Sequence, residues 1–335
     1  MDYAYAALDR GYIPDLVLRR AIRALNAQRI ATLSTGSYSG DIVHKLAYID
    51  SLKSNEIAIE TETANKQHYE VDTDFMLSCL GKHAKYSCCL YETGKETLDG
   101  AEEAMLSSYC EKAQLKDGQD VLDLGCGWGS LSLYLAQRYP KSRIHSLSNS
   151  KTQKIHIDET AKARGLNNLT VFTGDVKKYE FPSGVPKFDR VLSIEMFEHM
   201  KNYSLLFHKV ASWMKSDALC FIHIFCHKNM PYHFEENDGW MAQNFFSGGT
   251  MPCHDLFLHF QQDVVLEKMW WLNGKHYAQT CEDWLKKQDK HNAGGKAIQA
   301  LREDAEKKGN DPLEGEKTFY RFRVFYLACA EFFGE

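Results

Sequence analysis

The sequence predicts an α/β fold, a mostly parallel sheet sandwiched between helices. Three observations carry this expectation. Val121-Leu122-Asp123-Leu124 is an apolar run that breaks into Gly125, Gly127 and Gly129, then resumes as Ser130-Leu131-Ser132-Leu133-Tyr134-Leu135-Ala136; it reads as buried strand, tight loop and helix. Short apolar runs recur at 143–147, 169–176, 188–194 and 219–225, separated by helix-length stretches, which is the pattern of βα units. Polar residues follow each run (Ser148-Asn149-Ser150, Gly174-Asp175, Glu195), and open parallel sheets bind ligands at the carboxyl ends of their strands.

Composition bounds the rest. A chain of 335 residues can bury a large core, as one domain or two. Its net charge of −5 gives no global argument for nucleic acid or anionic membrane. No apolar run is long enough for an integral membrane segment. Ten cysteines stand at irregular spacing with no Cys-x-x-Cys pair and no signal peptide. They read as reduced thiols of a cytoplasmic protein, with no metal site.

Taken in order, residues 1 to about 60 read as helical. Leu16-Val17-Leu18, Ala21-Ile22 and Leu25 make an apolar face with Arg19, Arg20 and Arg23 largely off it. A helix packed on the core with a solvated basic face is expected, a lid or partner-binding helix being the alternative. The polar stretch 60–65 reads as an exposed connection. Tyr86-Ser87-Cys88-Cys89-Leu90-Tyr91 stands just ahead of the glycine loop, where its polar groups can serve packing or line the amino-acid end of a ligand. The glycines let a ligand lie against backbone amides, and amides at the helix start suit an anion such as a carboxylate.

Strand two, 143–147, ends in Ser148-Asn149-Ser150, with Gln153 following. An amide both donates and accepts, so Asn149 and Gln153 suit ribose hydroxyls, while either serine suits a helix N-cap. Strand three carries Asp175 and Val176 at its end, an acid that can accept from an adenine amino group or simply make a Gly-Asp turn. Strand four runs into Ile194-Glu195-Met196-Phe197-Glu198-His199. On a helical turn the two carboxylates share a face; acidic pairs are commonest on solvated surface, but this one stands at the end of a strand. Strand five, 219–225, precedes an aromatic-rich insertion, 232–246, which can wall an organic substrate or form satellite core. Residues 264–271 read as strand six, 276–284 as a helix, 286–308 as a lysine-rich solvated helical stretch, and 320–334 as an apolar C-terminal helix.

Several of these stretches resemble known families. Gly-x-Gly-x-Gly with Asp123 two residues ahead resembles motif I of S-adenosylmethionine-dependent methyltransferases, rather than the Gly-x-Gly-x-x-Gly dinucleotide pattern. His68-Tyr69-Glu70-Val71 followed by Tyr86-Ser87-Cys88 resembles the cyclopropane fatty acid synthase superfamily. The string from Ile194 to Tyr203 and the His276-Tyr277-x-x-Thr280-x-x-x-Trp284 helix narrow the resemblance to its coclaurine N-methyltransferase-like branch, over residues 65–334.

That resemblance implies a class I methyltransferase (Rossmann-like) α/β sandwich with a helical N-terminal segment (1–64), a core with its entry segment (65–225), and a substrate cap of insertion, strand six and C-terminal helices (226–335). It implies S-adenosylmethionine as cofactor and S-adenosylhomocysteine as product. Tyr86, Ser87, Asp123, Gly125 and Gly127 are expected at one part of the cofactor, and Asn149, Gln153, Asp175, Val176 and Ile194 at the rest. Glu195, Glu198 and His199 inherit the amine site and its base, with the two carboxylates as acceptors and His199 as the expected general base. Cys88, His223, Phe246, Tyr277, Arg321, Phe322 and Phe325 are expected around the substrate, a small amine of aromatic or alkaloid-like character. The sequence departs from the branch at Arg321-Phe322, where the alkaloid enzymes usually carry Tyr-Trp, and no closing strand is found after Phe333. Two alternatives stay open. In the cyclopropanating enzymes a bicarbonate acts as base, and Cys88, Glu198, His223 and Tyr277 stand at the positions that hold it, so a cyclopropane fatty acid synthase acting on phospholipid acyl chains is the second reading. A catalytically silent S-adenosylmethionine-binding protein is the third, and intact Glu195, Glu198 and His199 argue against it. No nucleic-acid partner is expected, and a homodimer is left open.

Overall fold

The computed structural model describes residues 2–59, 72–234 and 240–334. The His68-Tyr69-Glu70-Val71 string and the connection at 60–65 lie outside those residues. The chain opens with three helices, α1 (Asp2–Leu8), α2 (Asp15–Leu33) and α3 (Tyr38–Lys53). Helices α4 (Thr73–Cys79) and α5 (Leu98–Lys112) lead to β1 (Asp120–Leu124), α6 (Ser130–Arg138), β2 (Arg143–Ser148), α7 (Lys151–Ala163), β3 (Leu169–Thr173) and β4 (Phe188–Ile194). A 3₁₀ turn at Phe197–His199, α8 (Tyr203–Trp213) and β5 (Met214–His223) complete the sheet. Beyond it come a small hairpin, β6 (Tyr232–His233) and β7 (Thr250–Met251), interrupted by α9 (Trp240–Asn244), then α10 (Lys275–His291), α11 (Lys296–Lys307) and α12 (Pro312–Gly334).

The sheet order is β3-β2-β1-β4-β5, all parallel. All five residues of β1 are buried, as a central strand covered on both faces requires. Strand order reverses between β1 and β4, so the loops leaving these two strands flank the crevice where such sheets bind ligands. Those loops are the glycine loop and the Glu195–His199 segment.

Two expectations are corrected. Residues 264–271 form no strand. Neighbouring apolar side chains there are exposed together, Val265 by 75%, Met269 by 53% and Trp271 by 62%, so the run has neither a buried face nor a ladder. It passes β5 with the Trp270 ring 6.2 Å from Phe221, and no strand among the described residues pairs with the outer edge of β5. The basic face of α2 is solvated only in part: Arg20 is exposed, while its neighbours reach across to α12. Leu16, Val17 and Leu25 are exposed too. Leu18 is buried, with Ile22 packed against the same core, and Arg19 and Arg23 both pair with Glu331 near the end of α12. Arg323 of α12 pairs in return with Asp15 at the start of α2. Residues far apart in the chain thus meet through ion pairs on a helix–helix seam. None of the ten cysteines forms a disulfide, and no helix among the described residues is long and apolar enough to cross a membrane.

Candidate active site

The glycine loop after β1 is shaped by backbone demands. Gly125, Gly127 and Gly129 have φ of 84°, 51° and 81°, the left-handed region that favours glycine. A Cβ on Gly125 would lie 2.5 Å from Met196 Cγ, and one on Gly129 2.5 Å from Ile157. A Cβ on Gly127 would meet nothing within 4 Å; it would project into open space. Asp123 is buried beneath the loop and accepts from Ser132 Oγ at 2.6 Å. Burial pushes its carboxyl up to about 7, against the pull of that hydrogen bond.

Two cavities meet at this loop and share Gly125, Gly127 and Glu195. The first, about 790 Å³, is walled by Asn149 and Gln153 after β2, Asp175 and Val176 after β3, and Met196, His199 and Ser247. Ser148 Oγ donates to Gln153 Oε1 at 2.8 Å, which leaves the Gln153 amide nitrogen as the side chain's donor; that Nε2 is buried and has no partner. The second, about 530 Å³, is walled by Lys85, Tyr86, Ser87, Trp128, Ser130 and Ile194. Ser130 Oγ and Trp128 Nε1 there are buried without partners.

Beyond β4 the backbone is strained. Glu195 takes φ of 50°, unusual for a residue with a Cβ and common at functional sites. Its carboxylate is held at both oxygens. Cys88 N donates to Oε1 at 2.9 Å, and Tyr277 OH donates to Oε2 at 2.7 Å. Burial raises its pKa, opposed chiefly by the Lys85 charge and by those two hydrogen bonds. Glu198, three residues on, is 1% exposed. Phe225 N donates to its Oε1 at 2.8 Å, and its Oε2 has no partner. Burial, and then repulsion from Glu195, push its pKa well up. His199 lines the first cavity, and Glu198 lines neither.

The His276–Trp284 string does its work here. Thr280 Oγ1 accepts from Cys89 N at 3.0 Å and His276 Nδ1 from Tyr91 N at 3.2 Å, while the Trp284 ring lies 5.3 Å from that of Tyr86. Helix α10 therefore fixes the 86–91 loop, and Tyr277 reaches Glu195 from the same helix. A chain of rings continues outward: Tyr277 on Phe333 (4.6 Å), Phe333 to Phe225 (5.9 Å), Phe225 to Phe246 (5.9 Å), Phe246 on Phe234 (4.9 Å) and near Phe325 (6.0 Å). Phe225, whose amide holds Glu198, ties the rings to the carboxylates.

Other expected substrate residues are placed differently. Cys88 holds Glu195 by its amide, and its thiol faces Cys89 O at 3.4 Å. His223 Nδ1 lies 2.7 Å from Tyr109 OH, and burial holds the imidazole down to about 3, so it is neutral. None of the expected substrate residues, Arg321 and Phe322 included, walls either cavity. The Arg321 guanidinium is bound by Asp9 at 2.6 and 3.0 Å, and Phe322 packs edge-on to Phe75 and Phe245. Phe325, three residues after Phe322, lies on the same side of α12, and both rings pack against Phe245. Lys85, Trp128, Ser130 and Ser247 were not expected in the walls. Only Ser130 carried a signal, as the first residue of the helix after the glycine loop.

An elongated ligand with an adenosine-like end and a charged tail suits two cavities that join over backbone amides, and the unpartnered Gln153 amide and Ser130 hydroxyl in their walls are free to receive it. The chain is an S-adenosylmethionine-dependent methyltransferase. It belongs to the mycolic acid cyclopropane synthetase family, whose profile matches residues 57–332. It is 42% identical to (S)-coclaurine N-methyltransferase of Thalictrum flavum subsp. glaucum, over 84% of this chain and 78% of that one. It is 37% identical to (S)-tetrahydroprotoberberine N-methyltransferase of Eschscholzia californica, over 88% and 83%. The fold matches a crystal structure of coclaurine N-methyltransferase bound to N-methylheliamine and SAH, with TM-score 0.92 and 37% identity over 99% of this chain and 94% of that one.

Proposed function

We propose that this enzyme methylates the nitrogen of a small aromatic, alkaloid-like amine, with Glu198 as the group that takes the amine's proton. The observation that carries this reading is the unpartnered Oε2 of buried Glu198 beside a Glu195 carboxylate already held by two donors. Bound S-adenosylmethionine supplies an electrophilic methyl group on a sulfonium centre. The protein's task is to present a nitrogen with a free lone pair in line with it. An alkylammonium titrating near 10, as lysine does, leaves roughly one molecule in a thousand neutral at pH 7, a handicap of about 4 kcal/mol. A base is therefore needed. Burial and the Glu195 charge raise the Glu198 pKa, so the base is its ionised fraction. An ammonium brought to Oε2 supplies the missing donor and a counter-charge, and passage of one ammonium proton to that carboxylate discharges both groups and leaves the nitrogen lone pair free. Glu195, held by Cys88 and Tyr277, keeps its charge nearby and draws the cation in. His199, on the cleft wall, passes the proton outward. The rings of Phe225, Phe246 and Phe325 suit the apolar body and cationic head of such an amine.

The cyclopropanating alternative fares worse on the same geometry. By the family resemblance a bicarbonate would sit among Cys88, Glu198, His223 and Tyr277. The Cys88 amide and the Tyr277 hydroxyl are instead engaged by the Glu195 side chain, so the protein's own carboxylate stands among those groups.

Incubation with S-adenosylmethionine and a mixed panel of tetrahydroisoquinolines, phenylalkylamines, aliphatic amines and unsaturated phospholipid vesicles tests this. Fragmentation of products gaining the mass of one CH₂ is expected to locate it on an amine nitrogen. A CH₂ added across an acyl double bond would overturn the assignment, and cofactor binding without any product would favour a silent binding protein.

A further inference from the structure

The second cavity contains a buried lysine that pairs with no carboxylate among the described residues. Lys85 is 2% exposed. Its Nζ donates to Ser87 Oγ and to Cys88 O, both at 2.6 Å, and stands 5.2 Å from the centre of the Tyr109 ring. All are neutral partners, and Lys85 makes no ion pair among the described residues. Glu195 and Glu102 feel its charge only across space, and a buried ammonium with no direct ion pair commonly marks a site where an anion arrives. The loop is built to keep it there. Glu102, itself fully buried, accepts from Gly81 N at 2.9 Å, His83 N at 2.7 Å and Lys85 N at 3.3 Å. The same cavity wall carries the Ser130 hydroxyl and the Trp128 indole N–H, each more than nine-tenths buried and each without a partner. Ser130 also opens α6, a nine-residue helix whose N-cap, Gly129, brings no side chain to the free amides. A cation, two idle donors and a helix start converge on one cavity.

We propose that Lys85 binds the carboxylate of the cofactor's amino-acid end, with Ser130 and the first amides of α6 completing the anion site. The assignment rests on S-adenosylmethionine occupying both cavities. It makes Lys85 a discriminator between ligands that carry the carboxylate and ligands that stop at the thioether. It also places a positive charge beside Glu195, which feels the Lys85 ammonium.

Titration calorimetry with two ligands tests it. S-adenosylhomocysteine carries the aminocarboxylate, and 5′-methylthioadenosine lacks it. Lys85→Met is expected to weaken S-adenosylhomocysteine binding at least about tenfold, the scale of a charge-assisted hydrogen bond, while changing 5′-methylthioadenosine binding less than about twofold. An equal loss for both ligands, or no loss for either, overturns the inference. Asp175→Ala, in the adenosine part, is expected to weaken both alike; if it spares both, the placement of the cofactor itself is wrong. Retained 5′-methylthioadenosine binding shows that the Lys85→Met protein has folded. If it does not fold, the wild-type protein decides: removal of the carboxylate from S-adenosylhomocysteine, leaving the amine, should weaken binding at least about tenfold, and equal affinity overturns the inference.

Discussion

Glu195 and Glu198 carry the same carboxyl group three residues apart, and their surroundings drive them to different states. Glu195 receives two hydrogen bonds and feels the Lys85 charge; Glu198 receives one, has an idle oxygen, and faces the Glu195 charge. A base becomes active as pH rises through its pKa. Repulsion from Glu195 lifts the pKa of Glu198, so Glu195→Gln, which removes that charge, lowers it. The acid limb of kcat, measured at saturating cofactor and amine, should therefore move to lower pH in Glu195→Gln, even though its plateau falls. A limb that stays in place or moves upward would contradict like-charge coupling. At this scale the sequence was only half legible. The pair was visible from its place after a strand, but not the left-handed backbone of Glu195, nor which oxygens found donors, because those donors come from Cys88 and Tyr277, 107 and 82 positions away. Lys85 was invisible for the same reason: a lysine in a loop reads as solvated until tertiary contacts bury it.

At the scale of elements, the glycine loop is the most constrained piece. Gly125→Ala drives a methyl into Met196, next to Glu195. Gly127→Ala is the cleaner probe, since its methyl has room and faces both cavities. It is expected to lower stability by about 1–2 kcal/mol, the penalty for a Cβ in the left-handed region, as measured by urea unfolding. It should also weaken S-adenosylhomocysteine at least about tenfold by occupying the surface on which the ligand lies. Unchanged affinity would mean that the ligand does not lie on this loop. Strands β1 to β4 were readable because central parallel strands are buried on both faces and spell continuous apolar runs. The same rule misled at 264–271, where an equally apolar run is exposed along the edge of the sheet. For α2, an apolar face was read where Leu18, Ile22 and two paired arginines make the contact. Ion pairs with Glu331 cannot be seen from local periodicity, since the partner lies more than 300 residues away.

At the scale of the whole molecule, the sheet supplies the floor of the site, and helices from both ends of the chain frame its far side. Asp9, just after α1, and Asp15, Arg19 and Arg23 of α2 meet Arg321, Arg323 and Glu331 of α12. On the other side, Asn202 binds Lys53 O and Asn55 O, which anchors the end of α3 to the segment just after Glu198 and His199. The α/β class and the cofactor loop could be read from the sequence because they are local patterns repeated along the chain. The assembly of the substrate side could not, because it depends on which distant rings and charges meet. The most direct measurement compares methyl transfer to a tetrahydroisoquinoline by the wild-type protein and by Glu198→Gln at saturating S-adenosylmethionine. The expected result is an N-methylated product from the wild type, a kcat lower by about 10²–10⁴ in Glu198→Gln as for loss of a general base, and unchanged S-adenosylhomocysteine affinity. An undiminished kcat in Glu198→Gln, or a loss confined to cofactor binding, would contradict the assignment of Glu198 as the group that frees the amine's lone pair.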